Sequence, residues 1–111
     1  MDVSVERHGD VLLARLRESR LDATVAIRFK ERMREVAAMP GGRIVLDMAD
    51  VGFLDSSGLG AIVAVTRFLE QGRSLELARL SSSVERVFRL TRMDSVFAIH
   101  RDLPAALRDA G

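Results

Sequence analysis

The chain has no cysteine, no tryptophan, no tyrosine and only two prolines in 111 residues. Without cysteine there is no disulfide framework, no thiolate metal site and no cysteine nucleophile. The five phenylalanines are the whole aromatic complement, too few for a stacking platform that would hold single-stranded nucleic acid. Charge of one sign is also missing: 17 basic residues face 16 acidic ones, a formal net charge of +1. That balance gives no large, sequence-independent pull toward phosphate backbones or anionic lipid, so neither nucleic acid nor membrane insertion is expected. No stretch approaches the roughly 18 apolar residues of a membrane span. The opening Met1–Glu6 segment lacks the basic-then-apolar order of a secretory leader. A cytoplasmic protein is the expectation.

What is present is a globular profile, 48% hydrophobic and 30% charged, with length for one domain, 1–111, around one aliphatic core. Val3 and Val5 alternate with Ser4 and Glu6, His8-Gly9-Asp10 supplies turn chemistry, and Val11–Leu16 is apolar-rich; together they predict a β-hairpin. Val25, Ala26, Phe29, Met33, Val36 and Ala37 recur at helical spacing, predicting a helix over 23–38 capped by Asp22. Pro40-Gly41-Gly42 ends it. Ile44-Val45-Leu46 reads as a strand covered on both faces. A second helix is expected over 57–71 with Gly72 as its C-terminal cap, then a strand through Leu75 and Leu77. Ser82 with Glu85 reads as a capping box, Val96–Ile99 as a last strand, and Asp102 as the cap of a terminal helix through Leu107. The order ββαβαβαβα implies an α/β fold with about four helices and a mixed, mostly parallel sheet.

The chemistry-bearing stretch is Asp55-Ser56-Ser57-Gly58-Leu59-Gly60. Two serines after an aspartate can simply cap a helix. The two glycines are not needed for that, since each costs about 1 kcal/mol in a helix interior. They suit a helix start that another molecule approaches closely, and such a start tolerates a phosphate. The helix itself has two apolar faces: Leu59, Ile62, Val63, Thr66 and Leu69 on one side, Ala61, Ala64, Val65 and Phe68 on the other. One belongs on the sheet; the other either packs on the first helix or is a docking patch.

Arg43–Met48 followed by Val51-Gly52-Phe53-Leu54-Asp55-Ser56-Ser57-Gly58-Leu59-Gly60 closely resembles the signature of STAS domains of the bacterial anti-sigma factor antagonist family. The likeness extends back to Arg20-Leu21-Asp22-Ala23 and forward through Gly72–Leu77 to Ser83–Phe88. It implies a STAS fold over nearly the whole chain and a regulator of transcription that works by partner switching. The unmodified protein would bind an anti-sigma factor, a serine kinase with a histidine-kinase-like ATP-binding fold. Phosphorylation of Ser56, with Ser57 the second candidate, would abolish binding, and a serine phosphatase would reverse it. The resemblance carries a place near that serine over to Asp22, and loop-shaping roles over to Asp55 and Gly58. The expected partner-binding residues are Asp22, Asp55, Ser57, Gly58, Leu59, Gly60, Ala61, Ala64, Val65 and Phe68, in a monomer or weak dimer. The family commonly has Gly-Glu where this chain has Ser19-Arg20, a departure on the rim of the site.

A serine hydrolase is the enzymatic alternative. Its nucleophile elbow needs glycines two residues either side of the serine, where Leu54 precedes Ser56 and Asp55 precedes Ser57. Neither His8 nor His100 is tied to the motif as a base. No Walker-type loop or metal-ligand spacing occurs, so no catalytic residue, metal or cofactor is expected. The remaining alternative is a STAS interaction subunit of a stress-sensing assembly or of a lipid-transporting ABC complex.

Overall fold

The computed structural model describes residues 1–108. Strands β1 (Val3–His8) and β2 (Val11–Leu16) form the expected hairpin, with His8 opposite Val11 so that Gly9 and Asp10 alone make the turn. Gly9 has φ +62°, the left-handed conformation such tight turns demand. The chain continues through β3 (Arg20–Leu21), α1 (Ala26–Ala37), β4 (Arg43–Asp47), β5 (Phe53–Leu54), α2 (Ser56–Val65), β6 (Ser74–Ala78), α3 (Ser82–Leu90), β7 (Ala98–His100) and α4 (Ala105–Arg108). The main sheet runs β1-β2-β4-β6-β7. Only its β1–β2 pair is antiparallel; β2–β4, β4–β6 and β6–β7 are parallel.

Side chains alternate across each strand, which gives the sheet two unlike faces. Leu12, Ala14, Leu16, Ile44, Leu46, Leu75 and Leu77 join Phe29, Met33, Val36, Ala61, Ile62, Val65, Val84 and Phe88 in one core under the helices. The opposite face holds Val11, Leu13, Val45 and Ala78, covered by Leu103 and Leu107 from the C-terminal segment. Beside that apolar strip lie two buried carboxylates. Asp47 accepts from Arg79, whose Nε is 3.1 Å away, and Glu76 accepts from Arg43 Nε and Nη2 at 2.7 and 2.8 Å. Arg73, at the mouth of β6, donates to the carbonyls of Ala37, Met39 and Gly41 and so fastens the end of α1 to the sheet.

Several boundaries differ from the sequence expectation for local reasons. The first helix starts at Ala26 rather than at 23, with Val25 at its cap position and no side-chain cap. Asp22 instead closes a turn: its carbonyl accepts from the Val25 and Ala26 amides, and its carboxylate accepts from the Thr24 amide at 3.1 Å and hydroxyl at 2.5 Å. The second helix stops at Val65, tightens to a 3₁₀ turn over Thr66–Phe68, and is already extended at Leu69. Gly72 therefore does not cap it; with φ +89° it serves the turn before β6. Ser81, not Ser82, caps α3, its hydroxyl accepting from the Val84 amide, so Glu85 falls one position too late for a capping box. Val96 is 61% exposed after a 3₁₀ turn, and the last strand begins at Ala98. The terminal helix covers Ala105–Arg108; Asp102 accepts from the Leu103 amide, three residues short of it.

Candidate functional site

The serine loop is fixed from three directions. The first is a ladder the sequence did not suggest, a two-stranded parallel sheet of β3 and β5 with Arg20 opposite Phe53 and Leu21 opposite Leu54. The Ser19 carbonyl accepts from the amides of Gly52 and Phe53 at 2.9 and 3.3 Å, and the Leu21 carbonyl from that of Asp55 at 3.4 Å. The second is the start of α3, where Ser81 Oγ donates to the Val51 carbonyl and Ser83 Oγ to that of Gly52, each at 2.9 Å. The third is Asp55 itself. It is the N-cap of α2: Oδ1 accepts from the Gly58 amide at 2.9 Å, while Oδ2 accepts from the Ala23 amide at 3.3 Å.

Capping thus falls to the aspartate, and the serines are released from it. Ser56 and Ser57 are the first two helical residues, both exposed, and neither hydroxyl has a hydrogen-bond partner among the described residues. A helix start of this kind presents unpaired amides and the positive end of the helix dipole to whatever is attached at Ser56.

The two glycines have different tasks. Gly58 is buried, and a side chain there would run into the backbone of Leu21 and into Leu54 Cδ1. The close approach it permits is made by this chain's own β3. Gly60 is exposed with open space around it.

Asp22, which the resemblance placed near the serine, is buried. It reaches the loop indirectly, through the Ala23 amide that bonds Asp55. The Thr24 hydroxyl and then Arg20, whose Nε donates at 3.0 Å, hold its carboxyl below the usual carboxylate range. Arg20 also stacks on Phe53, its guanidinium carbon 4.4 Å from the ring centroid. Phe53 is 42% exposed.

Along α2, Ala61 and Val65 are buried with Ile62 in the core. The second apolar face therefore meets the rest of the domain, α1 in particular, and Phe68 lies half-buried under the guanidinium of Arg34 at 4.1 Å. What α2 leaves for another molecule is Ser56, Ser57 and Gly60, with half-buried Leu59, Val63 and Ala64 beside them. Phe53, Thr24, Ser81 and Ser83 were not singled out from the sequence. A lone aromatic two residues before Asp55 in an aliphatic chain was the one available signal.

The histidines are elsewhere. His100 Nε2 lies 2.8 Å from Glu76 Oε1, and His8 Nε2 lies 3.1 Å from Glu6 Oε2. His100 stands opposite Ala78 and His8 opposite Val11, both on the sheet face turned away from α2. Neither can serve Ser56 or Ser57 as a general base from there. Among the described residues no group of three or more His, Cys, Asp or Glu could hold a metal ion, and no helix is long and apolar enough to cross a membrane.

Comparison with known proteins follows the same outline. The model of the STAS domain matches residues 2–106. The chain is 29% identical over 106 residues to the anti-sigma-B factor antagonist of Listeria monocytogenes, covering 89% of this chain and 90% of that protein. A crystal structure of an anti-sigma factor antagonist from Mycobacterium paratuberculosis superposes with a TM-score of 0.84 at 24% identity, over 97% of this chain and 92% of that one. The Bacillus cell fate determinant SpoIIAA in its phosphorylated form superposes with a TM-score of 0.65 at 19% identity, over 98% and 97% of the two chains.

Proposed function

The chain belongs to the STAS domain family, and from that premise we propose that it is an anti-sigma factor antagonist switched by phosphorylation of Ser56. In its unmodified form it binds an anti-sigma factor, a serine kinase with a histidine-kinase-like ATP-binding fold, and so releases a sigma factor. The kinase transfers the γ-phosphoryl group of ATP to Ser56 Oγ, ADP leaves, the hydroxyl proton is released, and the complex no longer forms. A serine phosphatase hydrolyses the phosphoester and restores binding.

The observation that carries this reading is the state of Ser56: an exposed, unbonded hydroxyl at the first position of α2, on a loop held rigid from three sides and flanked by exposed Phe53. A rigid, partly apolar platform suits close contact with a protein. The Listeria relative, an antagonist by name, is similar across almost its full length. Phosphate adds about −1.5 to −2 charges. Inside the domain the α2 dipole and amides favour it by about 0.3–1 kcal/mol, so the fold is kept. Against a partner surface shaped for a hydroxyl the dianion has no compensating cations, and affinity falls.

The test is phosphate incorporation and binding with the histidine-kinase-like serine kinases of the host, using wild type, Ser56→Ala and Ser57→Ala. Incorporation is expected in wild type and Ser57→Ala and absent in Ser56→Ala. Ser56→Asp is expected to keep its circular dichroism spectrum and lose partner affinity. Incorporation that survives in Ser56→Ala and disappears in Ser57→Ala overturns the assignment.

A further inference from the structure

We propose that Arg20 is the internal counter-ion for a phosphate on Ser56, leaving its resting place over Phe53 when the phosphate arrives. The inference rests on the reading of Ser56 as the modified residue.

The β3–β5 register sets the geometry. Residues opposite one another in the ladder share a face, so Arg20 and Phe53 project together while Leu21 and Leu54 turn into the core. Asp22 is two residues from Arg20 and within bonding distance of it, on the same side. Asp55 and Ser56 follow Phe53 by two and three residues. The guanidinium is thus held over the Phe53 ring, three residues before Ser56, and its side chain is 60% exposed.

Its bonding is incomplete in a useful way. Nε donates to Asp22 Oδ2, and the planar group stacks on the Phe53 ring. Among the described residues neither terminal nitrogen donates a hydrogen bond. A guanidinium can keep its Nε on one carboxylate while presenting its terminal edge to a second oxyanion, and charge-assisted bonds to phosphate are stronger than stacking on an exposed ring.

Charge supplies the drive. Asp22 and Asp55 stand against the one cation of the ladder, Arg20, before any modification. A phosphate on Ser56 deepens the deficit of positive charge by about 1.5 to 2 units. Arg28 on α1 is the neighbouring cation, and its Nη2 is turned to the Thr24 carbonyl at 3.5 Å. Arg20 answers the new charge, and in doing so it uncovers Phe53. Phosphorylation then alters both the charge and the apolar outline of the binding platform.

The experiment needs no kinase. Phosphoserine is placed at position 56 during translation, and the second ionisation of the phosphate is followed by phosphorus NMR in wild type, Arg20→Gln and Arg28→Gln. The wild-type value is expected about one unit below that of Arg20→Gln, the low end of what an adjacent opposite charge does, with Arg28→Gln close to wild type. The Phe53 ring resonances are expected to move on phosphorylation in wild type and to stay put in Arg20→Gln. A native-like amide correlation spectrum of Arg20→Gln secures its fold. Equal titration of wild type and Arg20→Gln, or an equal effect of Arg28→Gln, overturns the proposal. Because the phosphate is installed directly, that result is separable from a kinase that fails to modify Ser56, which would count against the functional reading instead.

Discussion

The backbone of Leu21 occupies the space that a Cβ on Gly58 would need, its carbonyl carbon 2.8 Å from that point, with Leu54 Cδ1 equally close on another side. The start of α2 can lie against β3 only because position 58 has no side chain.

Gly58→Ala is therefore expected to destabilise the domain by about 2 kcal/mol, the overpacking cost of a rigid contact outweighing the helix-propensity gain of about 1 kcal/mol. Gly60→Ala, with nothing within 4 Å of its Cβ, is expected to stabilise by about 0.4–1 kcal/mol. Urea unfolding of the two variants checks the opposite signs.

Asp55→Ala removes the α2 cap and the bond to the Ala23 amide together. A loss of about 1 kcal/mol is expected from the cap. Asp55→Asn keeps an acceptor for Gly58 and should recover most of it, while amide exchange at Ala23 stays accelerated in both variants.

Glu76 gives the sheet a pH dependence of known sign. Hydrogen bonding from Arg43, opposed by burial and helped by His100, lowers its pKa to about 2. A carboxylate depressed in the folded state stabilises fully above its unfolded value near 4.5, and the contribution fades as pH falls from about 5 toward 2. Arg43 is partly exposed, so solvent screening reduces the effect to about 1–2 kcal/mol. Denaturant midpoints at pH 7 and pH 3 should differ less in Glu76→Gln than in wild type.

Phe53→Ala separates binding from stability. The ring is 42% exposed, so losing its covered part together with the stack on Arg20 should shift unfolding by about 1–2 kcal/mol. Affinity for the cognate anti-sigma factor is expected to fall at least about tenfold, as for an aromatic anchor in an interface; calorimetry measures it.

Much of this architecture was legible in the residues. The hairpin and the first helix are periodic over five residues or more, long enough for alternation or helical spacing to declare them, and β4 showed as an unbroken aliphatic run. The Asp-Ser-Ser-Gly motif marked the start of a helix, which the structure places at Ser56. The β3–β5 ladder was not legible, because strands of two residues carry no period and their partners lie 33 positions apart. For the same reason Asp22 read as a helix cap when its carboxylate serves Thr24 and Arg20, and Gly58 read as room for another molecule when Leu21 fills it. The apolar stripe through Ala61 and Val65 was visible, and the sequence left open whether the first helix or another molecule covers it; α1 and the core do. Asp47 and Glu76 gave a clue in standing within apolar strands; their arginine partners, Arg79 and Arg43, lie 32 and 33 positions away in sequence.

The short ladder also constrains how this loop can change in length. One extra residue in the Ala49-Asp50 turn would leave the rungs to Ser19 and Leu21 intact. One inserted directly after Asp55 would rotate every later helical side chain by about 100° relative to the cap. The serine hydroxyl would then point in a new direction and position 58 would lose its glycine. Descendants of this sequence can therefore lengthen the chain before β5 far more freely than after it.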